Sequence, residues 1–106
     1  MASGKIWSGT LPNASNQDTG AAAAGKIRTA SINVVNNGAT DAHLKVYIST
    51  SASPTNADLI EADNMLIPAH GIYKVTGEIV GPGERIVLRA DTANCIARVT
   101  AFEEDL

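Results

Sequence analysis

The sequence predicts an all-β protein, an antiparallel β-sandwich of about seven short strands behind an extended N-terminal arm. Three observations predict it. From Lys26 onward, apolar residues recur at every second position, and no stretch sustains helical spacing. Clusters of Gly, Pro, Asn and Asp interrupt the chain about every ten residues, the rhythm of sandwiches and barrels. The apolar fraction is 44%, yet Trp7, Tyr47, Tyr73 and Phe102 are the only aromatics and much of the rest is Ala. Ile, Val and Leu must therefore build the core, and β-branched side chains favour strands.

Taken in order, residues 1–25 read as the arm plus a loop. A short apolar piece, Lys5-Ile6-Trp7, precedes a polar run from Asn13 to Gly20. The four alanines that follow are closed in by Gly20 and Gly25, too short a stretch for a stable helix. Ile6, Trp7 and Leu11 stand out in this polar setting and are the candidate interface residues, since exposed aromatics mark contacts with partners. The alternative is that Ile6 and Trp7 fold back onto the chain's own core.

Residues 26–106 read as the sandwich domain. Ala30, Ile32 and Val34 alternate with Thr29, Ser31 and Asn33, and Asn36-Asn37-Gly38 supplies a tight turn. Leu44, Val46 and Ile48 then point one way while His43, Lys45, Tyr47 and Ser49 point the other. A polar loop follows over residues 51–56, and residues 58–67 read as one irregular or two short strands. Pro68-Ala-His-Gly71 is a turn, residues 72–80 are a strand, and Gly77 marks a bulge in it. Gly81-Pro82-Gly83 fits a type II turn, with Pro setting φ at its second position and Gly taking positive φ at its third. Two more strands, residues 84–90 and 95–102, flank a turn at residues 91–94, and an acidic tail runs over residues 103–106. Such spacing suits an immunoglobulin-like or jelly-roll-like sandwich.

At 106 residues the chain is one domain, small enough that docking on a partner or a second copy would add to a thin margin of stability. Eight basic and eleven acidic residues give a net charge of −3, and the basic ones are scattered along the chain, which argues against nucleic acid as a partner. Cys95 is the single cysteine, so no intrachain disulfide is expected. Residues 1–8 do not resemble a signal peptide, and no apolar run approaches the ~18 residues of a membrane span. A soluble protein made in a cytoplasm is the expectation.

His43 and His70 are the only histidines; one falls on a polar strand face, the other in a turn, and no metal-ligand spacing joins them. Cys95 alternates with Ala97, Val99 and Ala101, the pattern of a small buried hydrophobe and not of a nucleophile with its base. Glu61 and Asp63 share a strand face but lack the other spaced oxygens of a calcium loop. No catalytic residue, cofactor or metal is expected.

The order of motifs carries a resemblance. Asn36-Asn-Gly38, Leu44-Lys-Val-Tyr-Ile-Ser49, Ala57-Asp-Leu-Ile-Glu61, Ile67-Pro-Ala-His-Gly71, Thr76-Gly77, Gly83-Glu-Arg-Ile-Val87, Ala93-Asn-Cys-Ile-Ala-Arg-Val99 and Phe102-Glu-Glu104 follow one another across residues 26–104. This string resembles a recurrent small β-sandwich domain of tailed-bacteriophage virion proteins. Residues 1–25 do not carry the likeness. The resemblance implies structural work: a capsid decoration or cement protein on the outer capsid surface, often a homo-dimer or homo-trimer, clamping neighbouring major capsid protein subunits. The same domain also occurs in tail, baseplate and fibre proteins. A small carbohydrate-binding module ranks third, because only Tyr47 and Tyr73 are expected to face outward as sugar platforms.

Overall fold

The expected alternation is realised as two four-stranded antiparallel sheets with the aliphatic residues between them. The computed structural model describes residues 4–106, and the first three residues of the expected arm lie outside them. The strands are β1 (Gly4–Thr10), β2 (Asn16–Ala21), β3 (Lys26–Asn36), β4 (Ala42–Ser49), β5 (Met65–Ile67), β6 (Ile72–Val80), β7 (Arg85–Ala90) and β8 (Cys95–Asp105). A 3-10 turn at Asn56–Asp58 interrupts the loop between β4 and β5.

The front sheet has the order β1-β8-β3-β6 and the back sheet β2-β7-β4-β5. The pairing has a simple logic. β1 pairs with β8, β2 with β7, β3 with β6 and β4 with β5, as in one long hairpin of strands. That hairpin is rolled up so that β8 also joins β3 and β7 also joins β4. This nesting, eight strands in two facing sheets, is the jelly-roll arrangement. It decides between the two sandwich types the sequence left open.

The core lies where the inward parities of the strands meet. β3 contributes Ala30, Ile32 and Val34, β4 contributes Ala42, Leu44 and Val46, and β7 contributes Ile86, Leu88 and Ala90. β8 offers Cys95, Ala97, Val99 and Ala101, so its inward face is small. Small residues on β8 leave room for larger side chains opposite, which keeps interior packing dense.

One expectation is corrected. Residues 4–21 are not an arm: they form β1 and β2, one strand in each sheet, so a single sandwich runs from residue 4 to residue 105 in place of an arm plus a 26–106 domain. The reason is a bulge. The β1–β8 register shifts between Lys5 and Trp7, and both Ile6 and Trp7 pack against the core cluster. Two adjacent apolar residues turned the same way break the period-two signature of a strand. β2 is hidden differently: it has no large apolar residue, and its strand character comes from pairing with β7. Leu11 is fully buried between them.

The turns follow their residues. Gly83 has φ +75° and the Glu84 N–H donates to the Gly81 carbonyl at 3.0 Å, as the type II turn requires. Gly77 has φ +77° and sits where the β3–β6 register slips, the expected bulge. Asn36 closes the far end of β3. It is buried, its amide reaches the carbonyls of Thr40, Ile67 and Pro68 at 2.9, 3.1 and 3.2 Å, and its Oδ1 accepts from Gly38 N–H at 3.0 Å. The segment expected as strand between residues 58 and 67 keeps only β5; its first part is the 3-10 turn and a loop.

Three side chains expected outside are buried: Tyr47, Ser49 and Glu103. Tyr47 lies on the outward parity of β4 but is only 5% exposed, beside its register partner Val87, which is buried too. The loop after β4 returns along that strand, with a bridge from Leu59 to Tyr47 and a hydrogen bond from Ile60 N–H to the Val46 carbonyl. Glu103, placed in the acidic tail by the sequence, continues the inward parity of β8 and is buried. Its carboxylate accepts from Arg28 Nε at 2.9 Å, and the two Arg28 terminal nitrogens donate to the Gly20 and Ala21 carbonyls, both at 3.1 Å. One guanidinium thereby ties β3 and β8 of the front sheet to β2 of the back sheet.

Candidate interaction surface

The two outer faces of the sandwich differ. On the back sheet, three charge pairs form within the chain: Asp18 accepts from Arg85 at 2.7 Å, Asp63 lies 3.2 Å from Lys45, and the His43 ring meets Asp91 at 2.8 Å. Partial burial pushes the Asp91 carboxyl up, but hydrogen bonds from the His43 backbone and ring outweigh this and hold it below the usual carboxylate range. An open cleft of about 230 Å3 lies at one end of this face, lined by Ala14, His43, Lys45, Asn64, Arg89, Ala90 and Asp91. Among the described residues no Phe, Tyr or Trp lines it.

The front sheet presents apolar residues to solvent. Ile72 is 64% exposed, Phe102 58%, Ile79 55% and Ile96 44%. The register arranges them in two cross-strand rows. Val35 of β3 pairs with Ile72 of β6 and Ile96 of β8, which makes an Ile96–Val35–Ile72 row at one end. Thr29 pairs with Ile79 and Phe102, which makes a Phe102–Thr29–Ile79 row toward the other. Between them lies a band in which Asn33 pairs with Arg98 on one side and Lys74 on the other. Four large apolar residues exposed on one sheet face are unusual for a small domain and make this face the candidate interaction surface.

Sequence reasoning missed this face, although its signal was present. In β8 the large residues Ile96 and Phe102 have the parity opposite to Cys95, Ala97, Val99 and Ala101. Large apolar side chains face water and small ones face the core, the reverse of ordinary amphipathicity. The candidate interface residues that were singled out, Ile6, Trp7 and Leu11, belong instead to the chain's own interior, half-buried in the first two cases and fully buried in the third.

The groups considered for chemistry are held apart. Cys95 is fully buried in the core, while both histidines are on the surface. Burial pushes the Cys95 thiol above its usual range, and the negative charge of Asp91 adds to this, which suppresses the reactive thiolate. Glu61 and Asp63 turn to different partners: Glu61 accepts a hydrogen bond from the Tyr73 hydroxyl, and Asp63 pairs with Lys45. No cluster of three or more potential metal ligands occurs among the described residues. Neither tyrosine is a free platform, since Tyr47 is covered and Tyr73 is half-buried with its hydroxyl engaged.

The Tyr73–Glu61 bond links β6 of the front sheet to the loop that precedes β5 of the back sheet. Burial raises the Tyr73 pKa well above the ordinary value, and the hydrogen bond to Glu61 raises it further. A proton held more tightly in the folded than in the unfolded state stabilises the fold fully below the unfolded pKa of about 10, and that stability drains as pH climbs past it. The expected result is that the melting temperature of the wild type falls more steeply above pH ~10 than that of Tyr73→Phe. Parallel melting curves across that range would refute the linkage.

Comparison with protein-family models, with curated proteins and with solved structures finds no match to this chain.

Proposed function

We propose that the chain is a structural protein of a tailed-bacteriophage virion, in the form of a capsid decoration or cement protein that binds the outer capsid surface and stabilises contacts between major capsid subunits. The observation that carries the docking role is the front-sheet face, where Ile72, Ile79, Ile96 and Phe102 remain exposed on a rigid four-stranded platform. The ordered string of motifs over residues 26–104 supports the virion setting through its resemblance to phage sandwich domains. The jelly roll recurs in viral capsid proteins and in lectins, which is support by fold-level analogy alone.

The mechanism is burial of apolar area on a repeated lattice. Each copy gains about 25 cal/mol per Å2 of apolar surface covered, part of which is offset by lost freedom. Many weak contacts on one particle then act together. The docking elements differ from those the sequence suggested: the first strands are committed to the fold, and the front face is what remains free.

Mixing the purified protein with capsids stripped of accessory proteins tests the reading. Saturable binding at hundreds of copies per particle, weakened at least about tenfold by Phe102→Ser, is the expected result. Binding to tails at a small multiple of three or six copies would replace the capsid reading with a tail or fibre-attachment one. Specific glycan binding without binding to either would favour the lectin-like use of the fold.

A further inference from the structure

We propose that the front-sheet face docks a protein surface that sets carboxylates between two apolar contacts. This deepens the docking role above and rests on it. The chain carries a net charge of −3, yet this face holds Lys5, Lys74 and Arg98. Its single carboxylate among the described residues is Glu104, paired with Ile27 beyond the Phe102 row. Ion pairs among the described residues engage Lys26, Arg28, His43, Lys45 and Arg85, and none of the three front-face cations. On the back face Lys45, Arg85 and His43 meet carboxylates of the same chain, and Arg89 reaches only the Asn16 amide oxygen at 3.4 Å; on the front face none of the three cations has a carboxylate partner among the described residues.

Their position says what the complement is. Arg98 and Lys74 flank Asn33 in the band between the two rows, one row from Ile96–Val35–Ile72 and two from Phe102–Thr29–Ile79. Beneath the band, Asn33 Oδ1 is buried and finds no hydrogen-bond partner among the described residues, an unsatisfied polar group at this point of the sheet. Lys5 pairs with Thr100 one row further along. A partner covering both rows must therefore desolvate the cations between them, which is tolerable only if it brings opposite charge and hydrogen bonds.

A second copy of the chain fails this requirement. Two identical faces lay apolar rows on apolar rows only about a twofold axis that runs along the strands or across them. Along the strands, the Arg98–Asn33–Lys74 band lies on itself. Across them, it lies on the Thr100–Ser31 row, next to Lys5. Either way at least four cations are buried with no carboxylate between them. An anionic bilayer fits poorly too, because a flat face would carry the central cations as deep as the apolar rows and away from the headgroups. An acidic protein surface satisfies rows and band together.

The chain itself supplies a probe of that chemistry. A copy bearing Arg98→Glu and Lys74→Glu has both apolar rows at the correct spacing and carboxylates in the band. Analytical ultracentrifugation of wild type mixed with this variant should show a 1:1 complex at ~0.01 M ionic strength that weakens at least about tenfold by ~0.15 M, while each protein alone stays monomeric through this face. Phe102→Ser in the wild-type partner should weaken the complex by at least about tenfold. A second measurement needs no folded acidic variant: Arg98→Gln with Lys74→Gln removes the repulsion and should raise self-association at least about tenfold over wild type. The proposal is overturned if circular dichroism shows both chains folded and no mixed complex forms, or if the neutralised pair self-associates no better than wild type. Wild type that dimerises through this face, or binds phosphatidylserine vesicles in a manner lost with Phe102→Ser, would also overturn it. No virion component enters these measurements, so their failure and a failure to bind capsids are separate results.

Discussion

Arg28→Ala should destabilise the fold by about 3–5 kcal/mol, the usual cost of removing one partner from a buried ion pair. For a domain of this size that is a fall in melting temperature of about 12 °C or more, at ~4–8 °C per kcal/mol. The side chains of Arg28 and Glu103 are 10% and 4% exposed, so neither charge is shared with bulk water. Removing the guanidinium takes from buried Glu103 the hydrogen bond and charge of Arg28 and frees the Gly20 and Ala21 carbonyls at the end of β2. One of the links between the two sheets is lost with those hydrogen bonds. Replacing both charges, with Arg28→Met and Glu103→Leu, should recover a large part of the loss, because it removes the buried carboxylate as well. Denaturant titration of the three proteins decides it. A single-variant cost below about 1 kcal/mol would place the pair among exposed bridges of little worth.

Removing residues 1–10 should abolish cooperative folding. An arm could be cut away with no change in melting; β1 cannot. It covers one side of β8 along the register from Gly4↔Ala101 to Thr10↔Ile96 and packs Ile6 and Trp7 against the core. Burial of two such side chains is worth ~1.5–3 kcal/mol each, before the ladder hydrogen bonds are counted, against a total of about 5–15 kcal/mol for a native domain. The truncated chain would also expose the eleven-residue β8 as a free edge, which invites aggregation. Trp7→Ala is the milder form, with an expected cost of about 2–4 kcal/mol, below the value for a fully buried tryptophan because Trp7 is only half-buried. Loss of the sigmoidal thermal transition in the truncated chain, read by far-ultraviolet circular dichroism, is the expected result. An unchanged transition would restore the arm.

The strands that could be read directly are those whose two faces differ in polarity over several residues. β3 and β4 alternate cleanly, and the turn at residues 81–83 and the bulge at Gly77 follow from the backbone freedom of Gly and the fixed φ of Pro. β1 and β2 could not be read in this way. A bulge destroys the alternation in one, and the other has no large apolar residue to alternate. Tyr47 was misplaced because parity locates a side chain on a face and does not say what later covers that face.

The same distinction separates what the chain determines locally from what the fold decides. Period-two patterning and turn chemistry act between neighbours, so the all-β class, the inward aliphatic set and the burial of Cys95 were available from residue order alone. Which strands lie side by side depends on contacts between residues far apart in the chain, such as Lys26 with Asp105 and Gly4 with Ala101. Only that pairing turned an apparent arm into two strands and carried Arg28 to Glu103. It also gathered Lys5, Lys74 and Arg98, scattered along the sequence, onto one apolar face, because cross-strand register places side chains together without regard to their distance along the chain.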